Sequence, residues 1–232
     1  MIKVTNIHKA FGGNQVLKGI DLTINKGKVV VILAPSGSGK TTFLRCLNAL
    51  EIPDQGVIAF DDDSLSVDFA TKPSKKTLLA LQRKSGMVFQ SYNLFPHKTA
   101  IENLMLGPTV VQGQSKAQAR EQALVLLEKD GLSDKADLYP FQLSGGQQQR
   151  IGIARAIVHK PKILLADEPT GNLDPKLSLD IIQLFEEFND MGVAVLIATH
   201  DLGLIARLKY RTLTLKQGAM INDGLIEGLG GE

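Results

Sequence analysis

The sequence predicts an α/β fold in which a parallel sheet carries an antiparallel β subdomain and an inserted all-helical subdomain. Apolar runs without polar alternation are typical of parallel strands covered on both faces, and three such runs lie at residues 29–33, 163–166 and 193–198. The first 25 residues instead contain short strand-like runs around a glycine turn. Between residues 99 and 158 the apolar positions follow a helical period.

The N-terminal segment is expected to form an antiparallel sheet. Strand patterns cover residues 2–7 and 16–24, on either side of the turn Phe11-Gly12-Gly13-Asn14. Residues 61–76 are acidic and polar with no apolar period, so we expect them to form an exposed loop. Two further strands are predicted at residues 56–60 and 85–89.

The helical subdomain is expected at residues 93–158. Ser115 is a suitable N-cap for the second of its helices. Helical patterns cover residues 100–105, 115–129 and 145–158.

The strand pattern returns after the helical subdomain. We therefore expect one domain over residues 1–232, in which residues 1–92 and 159–232 form the α/β core. The tail after Gln217 is short and glycine-rich, so we expect no appended regulatory domain. The last predicted elements are a helix at residues 175–189 and a β ribbon at residues 212–221 around Gly218.

The composition is that of an ordinary globular protein. Of 232 residues, 44% are hydrophobic and 22% are charged, and the net charge of +2 is too balanced for a protein that mainly binds nucleic acid. No run reaches the about eighteen apolar residues that cross a bilayer, and the N-terminus lacks a signal-peptide pattern. We expect the single cysteine, Cys46, to be buried, in a reducing compartment such as the cytoplasm.

A glycine-rich loop is the most informative motif of the chain. It follows a buried strand and precedes a helical pattern, so free N–H groups and the positive helix end converge where a phosphate binds. Lys40 would reach the β- and γ-phosphates, and the Thr41 hydroxyl would hold Mg²⁺. We predict that a P-loop NTPase (RecA-like) core binds a nucleoside triphosphate through the loop Ala34-Pro35-Ser36-Gly37-Ser38-Gly39-Lys40-Thr41.

One residue departs from the stricter form of the phosphate loop. Ala34 stands where glycine is usual. Glycine is needed there only if the backbone requires a positive φ or if a side chain would meet the nucleotide. We expect nucleotide binding to survive, and weakened affinity remains the alternative.

Five further features follow the phosphate loop in a fixed order, and together they resemble the ATP-binding-cassette (ABC) ATPases over essentially the whole chain. The strongest is the run from Leu143 to Arg150, Leu-Ser-Gly-Gly-Gln-Gln-Gln-Arg, which resembles the signature sequence of that family. The resemblance implies two cassettes that pair head to tail, and a single type of chain makes a homodimer the default. The implied contacts with the ATP of the second copy are Ser144, Gly145, Gly146 and Gln148.

The run Ile163-Leu164-Leu165-Ala166-Asp167-Glu168 resembles the Walker B motif, an apolar strand that ends in two carboxylates. Successive strand residues point to opposite faces, so the two carboxylates do different work. The resemblance implies that Asp167 orients Mg²⁺ through its water shell and that Glu168 polarises the attacking water as a general base.

Three shorter segments complete the catalytic resemblance. Gln90 resembles the Q-loop glutamine that contacts Mg²⁺ and the water, and His200 resembles the switch histidine near the γ-phosphate. The segment Gly171-Asn172-Leu173-Asp174 resembles the D-loop, in which Asp174 makes cross-subunit contacts. The implied catalytic residues are therefore Glu168, His200 and Gln90.

Phe11 resembles the aromatic platform on which adenine stacks, with Val16 beside it. Stacking on an aromatic ring tolerates any base. The expected preference for ATP over GTP therefore rests only on the resemblance to the family. The implied cofactors are ATP and Mg²⁺, the metal being held by Thr41, Gln90 and Asp167. The implied phosphate ligands are Ser36, Gly37, Ser38, Gly39, Lys40, Thr41 and Thr42.

Two branches of the family compete within the chain. Up to about residue 157 the sequence resembles the ATPase subunit of bacterial polar amino-acid importers, as in residues 88–97 and 139–142. From about Pro161 it resembles the bacterial cell-division ATPase and its lipoprotein-releasing or peptide-exporting relatives. The importers usually carry Ser-Ala where this chain has Gly171-Asn172. A natural mosaic and an engineered chimera both stay open.

The favoured function is an ATPase that drives a separate membrane subunit, with import of polar amino acids preferred over a cell-division or export role. Integral membrane permease subunits would dock near Gln90 and Leu94-Phe95-Pro96, at the cytoplasmic face of the membrane. Alternatively, Leu94 and Phe95 anchor the helical subdomain. A soluble ABC ATPase of translation or DNA repair would need two cassettes or a coiled-coil insertion, and a non-hydrolysing scaffold would be expected to lack Glu168 or His200.

Overall fold

The structure is a computed structural model that describes residues 1–61, 65–171, 173–201, 203 and 210–224. Asn172 of the predicted D-loop and residues 225–232 of the glycine-rich tail lie outside the described residues. The strands are β1 (Ile2–Phe11), β2 (Asn14–Ile24), β3 (Val29–Leu33), β4 (Gln55–Phe60), β5 (Leu65–Asp68), β6 (Ser85–Val88), β7 (Ile163–Asp167), β8 (Ala194–Thr199), β9 (Arg211–Lys216) and β10 (Ala219–Gly224). The helices are α1 (Lys40–Leu47), α2 (Lys75–Lys84), α3 (Ala100–Leu106), α4 (Lys116–Lys129), α5 (Gly145–Ile157) and α6 (Pro175–Asp190).

The N-terminal sheet is antiparallel, as predicted, with the strand order β2-β1-β4-β5. Its register pairs Val4 of β1 with Leu22 on one side and with Ile58 on the other. All three side chains are buried in the core that this sheet shares with the central sheet. The two-residue alternation therefore gives the sheet one apolar face, which packs on the rest of the molecule.

The central sheet has the order β10-β9-β3-β8-β7-β6, and it is parallel from β9 to β6. Every residue of β7 and β8 is buried. Along β7, Leu165 faces the core that contains α1, whereas Leu164 faces the core that contains α6. Both faces of the sheet are thus covered by helices, which explains why its strands lack polar alternation.

The helical subdomain consists of α3, α4 and α5 around a third apolar cluster, which includes Ile101, Leu127 and Ile151. Each of its helices begins at a side-chain cap, and Ser115 is the N-cap of α4, as predicted. Thr99 and Ser144 cap α3 and α5 in the same way. Among the described residues, no helix is both long and apolar enough to cross a bilayer.

The prediction of an exposed loop over residues 61–76 is wrong for the part that the structure describes. Strand β5 and a short 3₁₀ turn, Phe69–Thr71, occupy the middle of this range. Val67 and Phe69 are buried, at 1% and 3% exposure. Leu65, Val67 and Phe69 alternate with polar residues, so a two-residue period was present but short and flanked by acidic residues.

Cys46 is buried on α1, as predicted. Burial raises the pKa of its thiol to about 12. The side chain therefore packs as a small apolar group, and its thiolate is not populated at neutral pH.

A buried carboxyl group lies at the end of α4, where this helix meets α5 and α6. Asp130 is 7% exposed, and neither of its carboxyl oxygens has a hydrogen-bond partner. Burial raises the pKa of Asp130 to about 7. Arg150 of α5 opposes this rise, Glu187 of α6 adds to it, and Lys129 opposes it slightly. Asp130 is consequently mostly neutral at pH 5 and mostly charged at pH 8.

Replacement of this carboxyl group, Asp130→Asn, should remove a pH dependence of stability. The folded pKa lies above the unfolded value, so the contribution of Asp130 to stability is present at low pH and is lost as pH rises through 7. From pH 5 to pH 8, the free energy of unfolding of the parent protein should fall by about 3 kcal/mol relative to the variant. Urea unfolding at both pH values measures this difference.

The control for this measurement is Asp134→Asn. Asp134 is an exposed carboxylate, and its hydrogen bond with Lys135 lowers its pKa, so this control should follow the parent protein between pH 5 and pH 8. An Asp130→Asn variant with the same pH profile as the parent would contradict the assignment.

Candidate functional site

The predicted site residues gather where three parallel strands end. Leu33, the last residue of β3, pairs with Thr199, the last residue of β8, and Asp167 of β7 pairs with Ala198. The three carboxyl ends are therefore neighbours, and the segments that follow them share one edge of the sheet. Ligands of open α/β sheets bind at such an edge.

The phosphate loop joins β3 to α1, as predicted. Gly37 and Gly39 have φ angles of 77° and 102°, which place them in the left-handed region, and α1 begins at Lys40. The Ser38 hydroxyl donates to the Pro35 carbonyl at 2.8 Å. The loop thus turns tightly into the amino end of a helix, where N–H groups without helical partners favour an anion.

Ala34 fits the loop without backbone strain. It is fully buried, its N–H donates to the Thr199 carbonyl at 3.3 Å, and it is not among the residues with positive φ. The backbone reason for a glycine at this position therefore does not apply. Its effect on ATP affinity stays a prediction.

Lys40, Glu168 and His200 meet at one carboxylate oxygen. Glu168 Oε1 lies 3.0 Å from Lys40 Nζ and 2.7 Å from His200 Nδ1. Lys40 and Glu168 are 8% and 7% exposed. Burial raises the pKa of Glu168, but the hydrogen bonds with His200 and Lys40 outweigh it and leave the pKa below its usual range. Glu168 is therefore a carboxylate at neutral pH, as a general base must be.

Asp167 and Thr41 lie together beside this cluster. Burial raises the pKa of Asp167, and a hydrogen bond with Thr41 partly offsets the rise. Asp167 Oδ1 is buried without a hydrogen-bond partner. A hydroxyl and an unpartnered carboxylate oxygen are ligands that suit Mg²⁺, so these residues fit the metal. The described residues contain no cluster of three or more His, Cys, Asp or Glu able to hold a metal ion.

Gln90 lies next to the segment that follows Glu168. A Cβ atom built on Gly171 would lie 3.1 Å from Gln90 Nε2 and 3.4 Å from the Glu168 carbonyl oxygen. Glu168, Gly171 and His200 also border a cavity of about 570 Å³. The structure therefore brings Gln90 to the same region as the Walker B carboxylates.

The signature residues lie at the start of α5 and make local contacts. The Ser144 hydroxyl accepts from the Gln147 N–H at 3.3 Å, and Gln148 Nε2 donates to the Leu143 carbonyl at 3.0 Å. Gly146 is buried. Within the described residues, no hydrogen bond or ion pair joins Ser144 to the phosphate loop.

The remaining predicted residues are spread around the site. Phe11 is 45% exposed with the Lys9 ammonium 4.9 Å from its ring centre, and Val16 lies against Gly39 of the phosphate loop. Asp174 is the N-cap of α6, where its side chain accepts two backbone N–H groups at 3.0 Å. Its cross-subunit role stays a prediction.

Arg155 of α5 is a structural residue that the sequence reasoning missed. Its guanidinium donates to the Asn93 carbonyl at 2.6 Å and to the Tyr92 carbonyl at 3.2 Å, and it lies 5.9 Å from the centre of the Phe95 ring. Leu94 packs into the helical cluster, whereas Phe95 stays 45% exposed. The sequence signal for this role was the position of Arg155, a long cationic side chain between Ala154 and Ala156 in α5.

The fold and the site define a P-loop nucleoside triphosphatase. Residues 17–171 match the family model described as "ABC transporter". The chain belongs to the ABC transporter family, and it is an ABC-type ATP hydrolase.

The similar proteins include ATP-binding proteins named for the transport of amino acids. The chain is 57% identical to a probable amino-acid ABC transporter ATP-binding protein of Haemophilus influenzae, over 96% of this chain and 87% of that protein. It is 50% identical to the L-cystine import ATP-binding protein TcyC of Bacillus subtilis, over 97% and 90%. It is 44% identical to the glutamine transport ATP-binding protein GlnQ of Escherichia coli, over 97% and 90%.

A solved structure shares the fold. The ABC cassette MJ0796, as a dimer in a post-hydrolysis state bound to ADP and phosphate, superposes with a TM-score of 0.83. It is 36% identical to this chain, over 99% of this chain and 100% of that one. This agreement confirms the predicted α/β cassette with an antiparallel and a helical subdomain.

The two phosphate-loop glycines should differ in their tolerance of alanine. Both have positive φ, which costs an alanine about 1–2 kcal/mol. A Cβ on Gly39 would also lie 3.0 Å from Leu17 Cδ2 and 3.1 Å from the Val16 carbonyl oxygen, whereas a Cβ on Gly37 meets nothing within 4 Å. Gly39→Ala should therefore lower the free energy of unfolding by about 3 kcal/mol and Gly37→Ala by about 1 kcal/mol.

Urea unfolding of the two variants without nucleotide separates the clash from the shared backbone strain. Equal losses of stability would show that Val16 and Leu17 do not confine the loop.

Proposed function

We propose that this chain is the ATP-hydrolysing subunit of an importer for polar amino acids. The observation that carries the chemistry is the meeting of Lys40 and His200 at one oxygen of Glu168, at the carboxyl edge of a parallel sheet. The relatives named for amino acids, L-cystine and glutamine support the substrate class. Their identity to this chain extends over 96–97% of its length rather than over one segment.

The proposed reaction transfers the γ-phosphoryl group of ATP to water, so the protein has to position groups and stabilise charge. The phosphate-loop amides, from Ser36 to Thr42, would hold the phosphates, and Lys40 would neutralise charge on the γ-phosphate. Glu168 would accept the proton of the attacking water. His200, which is already within hydrogen-bond distance of Glu168, would orient that carboxylate and contact the γ-phosphate.

We propose Thr41 and Asp167 as the residues that hold Mg²⁺, with Gln90 at the edge of its shell. The metal would supply positive charge that stabilises the terminal phosphates during transfer. The unpartnered, buried oxygen of Asp167 beside the Thr41 hydroxyl supports this assignment.

Two copies would bind two ATP molecules between them. Ser144, Gly145 and Gly146 occupy the amino end of α5 and make no hydrogen bond to their own phosphate loop within the described residues, so they would serve the nucleotide of the second copy. Gln148 would help to shape this loop, since its side chain donates to Leu143. The dimeric relative MJ0796 supports the pairing.

The membrane subunit would dock on a groove of about 530 Å³ between the core and the helical subdomain. Phe89, Phe95 and Leu106 give the groove an apolar wall, and Arg155 and His159 give it a polar one. It opens beside the segment that follows Gln90, so a docked helix would sense the nucleotide site. This placement would hold the chain at the cytoplasmic face of the membrane.

We propose a single importer identity for the whole chain, rather than a mosaic of two branches. The importer relatives cover 96–98% of this chain, including the part after Pro161. The residues there that resemble cell-division and lipoprotein-release ATPases would then be variations within an importer. A role in cell division or export stays the alternative.

The general-base assignment predicts the behaviour of Glu168→Gln. This variant should still bind ATP, because Lys40 and the phosphate-loop amides that would hold the phosphates are unchanged, but it should hydrolyse ATP about 10²–10⁴-fold more slowly. Dimers bound to ATP should accumulate. Steady-state phosphate release and size-exclusion chromatography with light scattering measure the two effects.

Lys40→Ala provides the contrast, since it should weaken nucleotide binding itself and give no ATP-bound dimer. An unchanged rate of ATP hydrolysis in Glu168→Gln would contradict the assignment of Glu168 as the general base.

The transport assignment predicts that hydrolysis responds to an amino acid. In vesicles that carry the chain with a candidate permease and its binding protein, ATP turnover should rise several-fold with cystine or glutamine. Phe95→Asp should lower the ratio of stimulated to basal turnover, because a charge would enter the apolar wall of the groove. Stimulation by a lipoprotein or a peptide, and by no amino acid, would favour the export alternative.

A further inference from the structure

An exposed aromatic pair lies just before the signature serine. Phe141 is 81% exposed, which makes it the most exposed large apolar side chain among the described residues, and Tyr139 is 39% exposed. Their rings are stacked, with centroids 5.9 Å apart and planes at 12°. Two solvent-facing aromatic rings are characteristic of a surface that binds a ligand or another protein.

The pair is held on a rigid turn. Pro140–Gln142 forms a 3₁₀ turn, and the Gln142 side chain accepts from the Tyr139 N–H at 2.9 Å. Pro140 and Leu143 are buried, so both ends of the turn are anchored in the helical subdomain. A fixed backbone keeps the entropy cost of binding through the two rings small.

The position of the pair selects its partner. Phe141 lies three positions before Ser144 in the chain, which limits their Cα distance to about 11 Å. Ser144 begins the helix end that we assign to the triphosphate of a second copy, so the exposed rings lie close enough along the chain to reach the same nucleotide. Neither ring carries a charge, which suits the flat face of a base rather than a phosphate.

We propose that Tyr139 and Phe141 of one copy close over the base of the nucleotide held by the second copy. That base would lie between the aromatic pair and Phe11 of the second copy, which is itself 45% exposed. This closure presupposes the proposed pairing of two copies around ATP. The aromatic pair thereby makes the nucleotide base part of the dimer contact, in addition to the phosphates.

Loss of the Phe141 ring should weaken the pairing of two copies but should not weaken the binding of ATP to a single copy. In the Glu168→Gln background, Phe141→Ala should raise the protein concentration needed for ATP-dependent dimers about 10-fold. The effect should be smaller with CTP, whose pyrimidine offers less stacking area. Sedimentation velocity over a protein dilution series measures pairing, and a fluorescent ATP analogue at low protein concentration measures binding to one copy.

A control is Val125→Ala, which trims another solvent-facing apolar side chain, on α4, that is 50% exposed. It should pair like the parent. If Phe141→Ala pairs like this control, or if its loss is the same with ATP and with CTP, the ring does not contact the base and the proposal is overturned. If the Glu168→Gln parent itself forms no dimer in the presence of ATP, that result contradicts the proposed dimer, and it is distinguishable from a loss that is specific to Phe141→Ala.

A second readout uses the absence of tryptophan from the chain. Phe141→Trp in the same background would carry the sole indole, so its emission reports directly on this position. Addition of ATP should shift or quench the emission at protein concentrations that give dimers and not at those that give single copies. Emission that stays constant while dimers form would overturn the proposal.

Discussion

Parallel pairing of β3, β8 and β7 is the constraint on which both the fold and the chemistry depend. The register that joins Leu33 to Thr199 and Asp167 to Ala198 is fixed by strands that are buried on both faces. A slip of one residue in β7 would exchange the faces of Asp167 and Glu168 and would direct the carboxylate that meets Lys40 into the core. The packing of the sheet therefore determines which carboxylate meets Lys40.

The backbone at Glu168 is strained, and hydrogen bonds hold it in place. Glu168 has a φ of 48°, which is unfavourable for a residue with a side chain. A glycine would remove this backbone strain, but it would also remove the carboxylate. Hydrogen bonds hold the strained residue on both sides, since its N–H donates to the Ala198 carbonyl and its own carbonyl accepts from Gly171. The ladder between β7 and β8 thus continues one residue beyond β7.

The sequence predicts features that depend on a local pattern, but it does not predict features that depend on contacts between distant parts of the chain. The apolar runs predicted the strands of the central sheet, and the resemblance to the ABC ATPases predicted that Lys40, Glu168 and His200 belong to one site. The alternation at Leu65, Val67 and Phe69 was too short to outweigh its acidic flanks. Nothing in the sequence near Asp130 indicates burial, because its surroundings come from α5 and α6, which follow it in the chain.

The helical subdomain and the segment after Gln90 are packed as one unit. Gly145 and Gly152 lie seven residues apart on one face of α5, and both lie against Tyr92. A side chain at Gly145 would meet the Tyr92 hydroxyl at 2.9 Å. Arg155, on the next turn, binds the Tyr92 and Asn93 carbonyls. Because Ser144 is the N-cap of α5, these contacts connect the segment that contains Phe95 to the helix that begins at the signature residues.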